Sequence, residues 1–156
     1  EIVNSSADLS LIVRKRIAAQ PTKVFQAWTQ ANMLKKWWGP QGVTCHEAEV
    51  DLRVGGAYRI GNTLPEGEVI WVTGYFEVIE ANKMLVYTWS TGDDHTTSSE
   101  RVTVKFNAIK LSENQSGTEV TVIHEQIATQ ERVESHIHGW EGCLGGLEGL
   151  QTSGRL

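Results

Sequence analysis

Residues 129–150 read TQERVESHIHGWEGCLGGLEGL, and the architecture follows from them. Val133, Ile137, Trp140, Leu144, Leu147 and Leu150 recur at spacings of three and four, which is one apolar stripe on a long helix. Thr129, with Glu131 and Arg132 in the first turn, marks its start, and Glu134, Glu141 and Glu148 occupy the other face. Gly139, Gly142, Gly145, Gly146 and Gly149 each weaken such a helix by about 1 kcal/mol relative to alanine. Packing must therefore hold it, and glycines on a packed helix admit a close backbone or leave space beside them.

Upstream of this helix the periodicity is that of strands. Val120, Val122 and His124 alternate with Thr121 and Ile123; Val102, Val104 and Phe106 alternate with Arg101, Thr103 and Lys105. Leu85, Tyr87 and Trp89 share a face of MLVYTW (84–89). Residues 68–80 form a β-rich run in which Gly74 marks a bulge or a close backbone approach. Tyr58 and Ile60 share one side of a strand opened by Gly55 and Gly56, and residues 61–67 read as a turn. Residues 43–52 alternate weakly, with Glu47, Glu49, Asp51 and Arg53 forming a solvated face or an ion pair. The polar stretch 90–99, with Asp93, Asp94 and His95, is a loop by composition.

At the other end, Leu9, Leu11, Val13 and Ile17 keep the parity of an opening strand. Pro21 suits the first position of a helix carrying Val24, Phe25 and Trp28. Thr29 is a candidate cap for a second short helix holding Leu34, Trp37 and Trp38, which Gly39 and Pro40 terminate. The order is strand, two short helices, about six strands, then one long helix. That pattern describes an α+β domain, a curved antiparallel sheet with its helices on one side. One domain over 9–150 is expected, with tails at 1–8 and 151–156.

A net charge of −5 without a basic stripe excludes nucleic acid as an expected partner. No apolar run approaches the roughly 20 residues of a membrane span, and no signal peptide is visible. Cys45 and Cys143 fit no metal or redox spacing, which points to buried thiols and a cytoplasmic setting.

Several short signatures fall in order: Ala27-Trp28-Thr29; Leu34-Lys35-Lys36-Trp37-Trp38-Gly39-Pro40; Asp51-Leu52-Arg53-Val54-Gly55-Gly56-Ala57-Tyr58; Gly74-Tyr75-Phe76-Glu77-Val78-Ile79; Leu85-Val86-Tyr87-Thr88-Trp89; His124-Glu125; and Gly139-Trp140-Glu141-Gly142-Cys143-Leu144. Together they resemble the family named for the activator of the ninety-kilodalton heat-shock chaperone's ATPase, within the START-like (SRPBCC) superfamily. The resemblance implies a helix-grip fold, in which the sheet wraps the C-terminal helix around a cavity. It also implies a choice of roles, because members include a co-chaperone domain and proteins that hold small apolar molecules.

The aromatic residues Trp38, Tyr58, Trp71, Tyr87, Trp89 and Trp140 are candidates for lining that cavity, with indole and phenol groups as sparse polar handles. His124 lies inward by alternation, and His136 sits one turn before Trp140, so both histidines join the candidate set. His136 and His138 are two residues apart on a helix and cannot share one metal. No third residue at metal-ligand spacing accompanies them, so neither metal nor cofactor is expected.

The expected function is binding of a small apolar or aromatic ligand between sheet and helix. One alternative is a co-chaperone-like module with a chaperone partner. The other is an enzyme of cyclase, hydratase or hydrolase type using His124 or His136. A homodimer is also allowed for, through the edge or face offered by residues 68–80.

Overall fold

The computed structural model describes residues 9–39, 42–91 and 100–156. The expected N-terminal tail, Pro40, and Asp93, Asp94 and His95 lie outside the described residues. The elements run β1 (Leu9–Ile17), α1 (Pro21–Thr29), α2 (Ala31–Trp37), β2 (Thr44–Val50), β3 (Ala57–Thr63), β4 (Val69–Glu80), β5 (Met84–Thr91), β6 (Glu100–Ser112), β7 (Gln115–Ile127) and α3 (Gln130–Thr152).

The seven strands form one antiparallel sheet in the order β1-β7-β6-β5-β4-β3-β2. After β1 the chain crosses through α1 and α2 to the opposite edge, then returns strand by strand until β7 pairs with β1. The curled sheet and α3 make an α+β helix-grip arrangement. The inward parity of β5, β6 and β7 buries Leu85, Val102, Val104, Phe106, Val120 and Val122, which meet the stripe of Val133, Trp140, Leu144, Leu147 and Leu150 from α3. Thr129 is the cap of α3, its hydroxyl accepting from the Arg132 N–H at 3.1 Å.

Two local expectations are corrected. Thr29 does not cap α2; Gln30 takes that place without a side-chain bond, because the Thr29 hydroxyl donates to the Phe25 carbonyl instead. The turn expected from residue 61 begins later, since β3 continues to Thr63. Gly61 stays in the strand because the Trp71 ring lies against it, where a Cβ would sit 3.1 Å from the indole. Gly74 makes a close approach, its missing Cβ leaving room for the Thr88 carbonyl of β5.

The adjacent tryptophans separate because the helix ends between them. Trp37 is the last residue of α2, and its indole N–H donates to the Ala27 carbonyl at 2.8 Å. Trp38 has left the helix for an extended backbone (φ −71°, ψ 136°), so the helical 100° offset no longer governs its direction. Both rings are buried.

The glycines of α3 divide by what lies beside them. A Cβ at Gly146 would stand 2.4 Å from the Trp37 carbonyl oxygen, whereas at Gly145 and Gly149 it meets nothing within 4 Å. Gly145→Ala and Gly149→Ala are expected to stabilise the fold by roughly 0.5–1 kcal/mol each through helix propensity. Gly146→Ala is expected to destabilise it by about 1–3 kcal/mol, as α2 is pushed off α3. Urea unfolding of the three variants checks the opposite signs.

Candidate functional site

Arg132, His136 and Trp140 lie four residues apart on α3, and their side chains converge on two strand residues, Glu100 and His124. Glu100 opens β6 on the inward parity of Val102, and His124 of β7 pairs across with Val102. The Trp140 indole N–H donates to His124 Nδ1 at 3.0 Å. That nitrogen must therefore carry a lone pair, which leaves the proton on Nε2. Nε2–H donates to Glu100 Oε1 at 2.7 Å. One neutral tautomer of a fully buried histidine is thus fixed from both ends.

Glu100 is buried yet ionised. Burial alone raises its pKa, but hydrogen bonds from His124, His136 and Arg132 outweigh burial and hold the carboxyl well below the usual carboxylate range. Its Oε2 accepts from Arg132 Nε at 2.6 Å, and its Oε1 also accepts from His136 Nε2 at 2.9 Å. His124 is shifted the other way from an ordinary partnered histidine: burial lowers its pKa, and the Glu100 bond only partly opposes that. The two imidazoles stack at 4.2 Å between ring centres. His136 donates through Nε2, so its Nδ1 remains, and no described residue bonds to it.

Glu100 is the third group that the sequence reading did not supply. The ligand atoms of Glu100, His124 and His136 lie within 4.8 Å of one another. A zinc ion there needs the Nε2 lone pair of both histidines. Trp140 opposes this, because a lone pair on His124 Nε2 requires a proton on Nδ1, facing the indole N–H head on. The Arg132 guanidinium on Oε2 adds a like charge. The arrangement suits protons, not a metal.

Beside this cluster, between α3, β3, β4, β5 and the segment after α2, lies a cavity of about 320 Å³. Trp38, Trp89, Trp140 and His136 line it, with Ile70 and Val72 supplying aliphatic wall. Trp38, Trp89 and Trp140 have ring centres 5.4–6.2 Å apart. The Trp38 indole donates to Asn62 Oδ1 at 2.9 Å, so the Asn62 amide N–H₂ is left as a donor on the cavity wall. The Trp89 indole N–H is buried and finds no partner among the described residues. Cys143 also lines the cavity, but burial pushes its thiol up to about 12, so it is not nucleophilic at neutral pH.

Four residues expected at the cavity sit elsewhere. Tyr58 and Tyr87 border a separate gap of about 20 Å³ with Trp28, room for no more than a water. Their hydroxyls are taken up internally: Tyr58 donates to the Thr88 carbonyl at 2.6 Å, and Tyr87 accepts from the Trp28 indole at 3.2 Å. Trp71 has the opposite parity to Ile70 and Val72, and the Arg59 guanidinium lies 3.9 Å over its ring. His124 is sealed behind His136 and Trp140. Glu100 and Arg132 escaped the sequence reading. Their signals were an acid at the head of an inward alternation and the four-residue step from Arg132 to His136 to Trp140.

Residues 18–151 match a family model described as Activator of Hsp90 ATPase homolog 1-like protein. No curated protein matches the sequence. Among solved structures, a Chromobacterium violaceum protein superposes with a TM-score of 0.80 at 23% identity, covering 91% of this chain and 96% of its own. An AHSA1 protein from Silicibacter pomeroyi gives 0.78 at 20% identity, covering 90% and 96%. An HSP90 activator from Plasmodium falciparum gives 0.67 at 25% identity, covering 91% and 95%. No described helix is long and apolar enough to cross a membrane.

Proposed function

The chain belongs to the family of Activator of Hsp90 ATPase homolog 1-like proteins, and from that premise we propose that it binds a small apolar or aromatic molecule in the cavity between sheet and α3. The observation that carries this reading is a space of about 320 Å³ bounded by the rings of Trp38, Trp89 and Trp140. Indole walls reward a flat ligand, since offset or edge contacts add about 0.5–1.5 kcal/mol per ring pair beyond burial. Gly139 lies on the same wall with nothing within 4 Å of its missing Cβ, so α3 leaves space there. The polar groups on the wall are the Asn62 amide, the His136 and His138 rings and the hydroxyls of Thr91 and Ser135.

Tryptophan fluorescence during titration with two-ring aromatics tests the proposal, because three of the indoles touch the space. Saturable quenching in the micromolar range is expected, weakened about tenfold or more by Gly139→Leu, which fills the cavity. Unsaturable quenching, or binding indifferent to Gly139→Leu, ends this reading.

A second reading has its own support in the family match and the likeness to the Plasmodium falciparum HSP90 activator. In that case the chain stimulates a chaperone ATPase through its surface. Stimulation that survives Gly139→Leu favours the surface over the cavity, and no stimulation at micromolar protein removes the co-chaperone role.

A further inference from the structure

We infer that the cavity selects ligands carrying an acidic hydroxyl, of the phenol or enol class, whose O–H donates to His136 Nδ1. This rests on the cavity being the ligand site and adds which chemistry the ligand must present. The orientation of His136 is the reason. Its Nε2–H is committed to Glu100 Oε1 at 2.9 Å, and Glu100 is itself held by His124 at 2.7 Å and by Arg132 at 2.6 Å. His136 cannot turn its ring over without losing a charge-assisted bond to an ionised, buried carboxylate. His124 cannot supply a different partner, because Trp140 fixes its tautomer.

The remaining nitrogen of His136 therefore presents a lone pair. The ring lines the cavity, and its side chain retains 13% exposure. Thr91, Ser135 and His138 also line the space, but among indoles that offer only N–H donors the His136 lone pair is the acceptor whose direction the Glu100 bond fixes. It discriminates between ligands that are otherwise alike. A hydroxyl satisfies it, whereas an ether oxygen at the same place sets a lone pair against a lone pair.

The carboxylate behind the ring sharpens the preference. Glu100 polarises the Nε2–H bond and makes Nδ1 a better acceptor, as an ionised partner strengthens a hydrogen-bond chain. The more acidic the hydroxyl, the stronger its donation, so phenols and enols are favoured over alcohols of equal size.

The experiment compares 2-naphthol with 2-methoxynaphthalene by calorimetric titration on the wild-type chain and on His136→Phe. The two probes share ring area, and only the naphthol can donate. Wild type is expected to bind the naphthol about fivefold to tenfold more tightly, one hydrogen bond's net worth. In His136→Phe, which keeps a flat ring and leaves Glu100 its bonds to His124 and Arg132, the two are expected to agree within about twofold. Equal or reversed affinities in wild type overturn the inference and leave the cavity reading standing. So does a preference that survives in His136→Phe. Failure of both probes on wild type overturns the cavity reading and this inference together. Should His136→Phe not fold, His136→Leu serves the same comparison, and the wild-type pair decides by itself.

Discussion

Glu100→Ala is expected to cost roughly 3–5 kcal/mol of folding stability, a large fraction of the 5–15 kcal/mol typical of a domain. The carboxylate accepts three hydrogen bonds from two histidines and an arginine at 2.6–2.9 Å. Removing it strands the fully buried Nε2–H of His124 and leaves the Arg132 guanidinium without its anion. The loss should appear as a lower urea midpoint with an unchanged slope. A fall below about 1 kcal/mol would mean that solvent reaches the cluster freely.

The same residues set an acid sensitivity whose sign is fixed. The folded pKa of His124 is lowered, chiefly by burial. As pH falls through the ordinary histidine value of about 6.5, the unfolded chain takes a proton that the folded chain refuses, and stability drops. Glu100 is also lowered in the folded chain, so its contribution is complete above the ordinary glutamate value of about 4.3 and is lost as pH falls below it. Stability should therefore decline in two stages on acidification. Glu100→Ala removes the lower one.

Trp28→Ala is the second large effect, expected at about 3–5 kcal/mol. Its ring stacks on Trp140 at 6.1 Å and meets Trp37, Trp38 and Phe106 at 4.9, 6.4 and 5.8 Å. Its N–H is the donor to the Tyr87 hydroxyl. Trp28→Phe keeps most of the packing and gives up that bond, so it should cost about 1–2 kcal/mol. Because Trp38 and Trp140 line the cavity on their other sides, Trp28→Ala should also weaken naphthol binding although Trp28 does not line it. Chemical denaturation and the same calorimetric titration check both halves.

What the sequence determined by itself was periodic. Alternation at Val102, Val104 and Phe106 and at Val120, Val122 and His124 forced strands with one buried face. The three-and-four spacing from Val133 to Leu150 forced a single long helix against that face. Each is a local rule, because a residue's direction from the backbone repeats every two positions in a strand and every 3.6 in a helix. The glycines along α3 were legible as a packed face, but not which one carries the close contact. Only the position of α2 made Gly146 the point of approach and left Gly145 and Gly149 open.

Tertiary structure alone decided the site. Sequence alternation put Tyr58, Tyr87 and His124 inward correctly in parity, yet inward spans both a sealed core and an open space. Curvature of the sheet and the seat of α3 separate the two. Trp71 lost its expected place through the pairing of β4, which turns Ile70 and Val72 toward the cavity and Trp71 toward Arg59. Glu100 meets His136 across 36 residues and His124 across 24, and no local pattern encodes such a meeting. The proton positions were beyond the sequence too. They follow from Trp140 donating to one nitrogen of His124, a contact between a helix and a strand that exists only when the two are packed together.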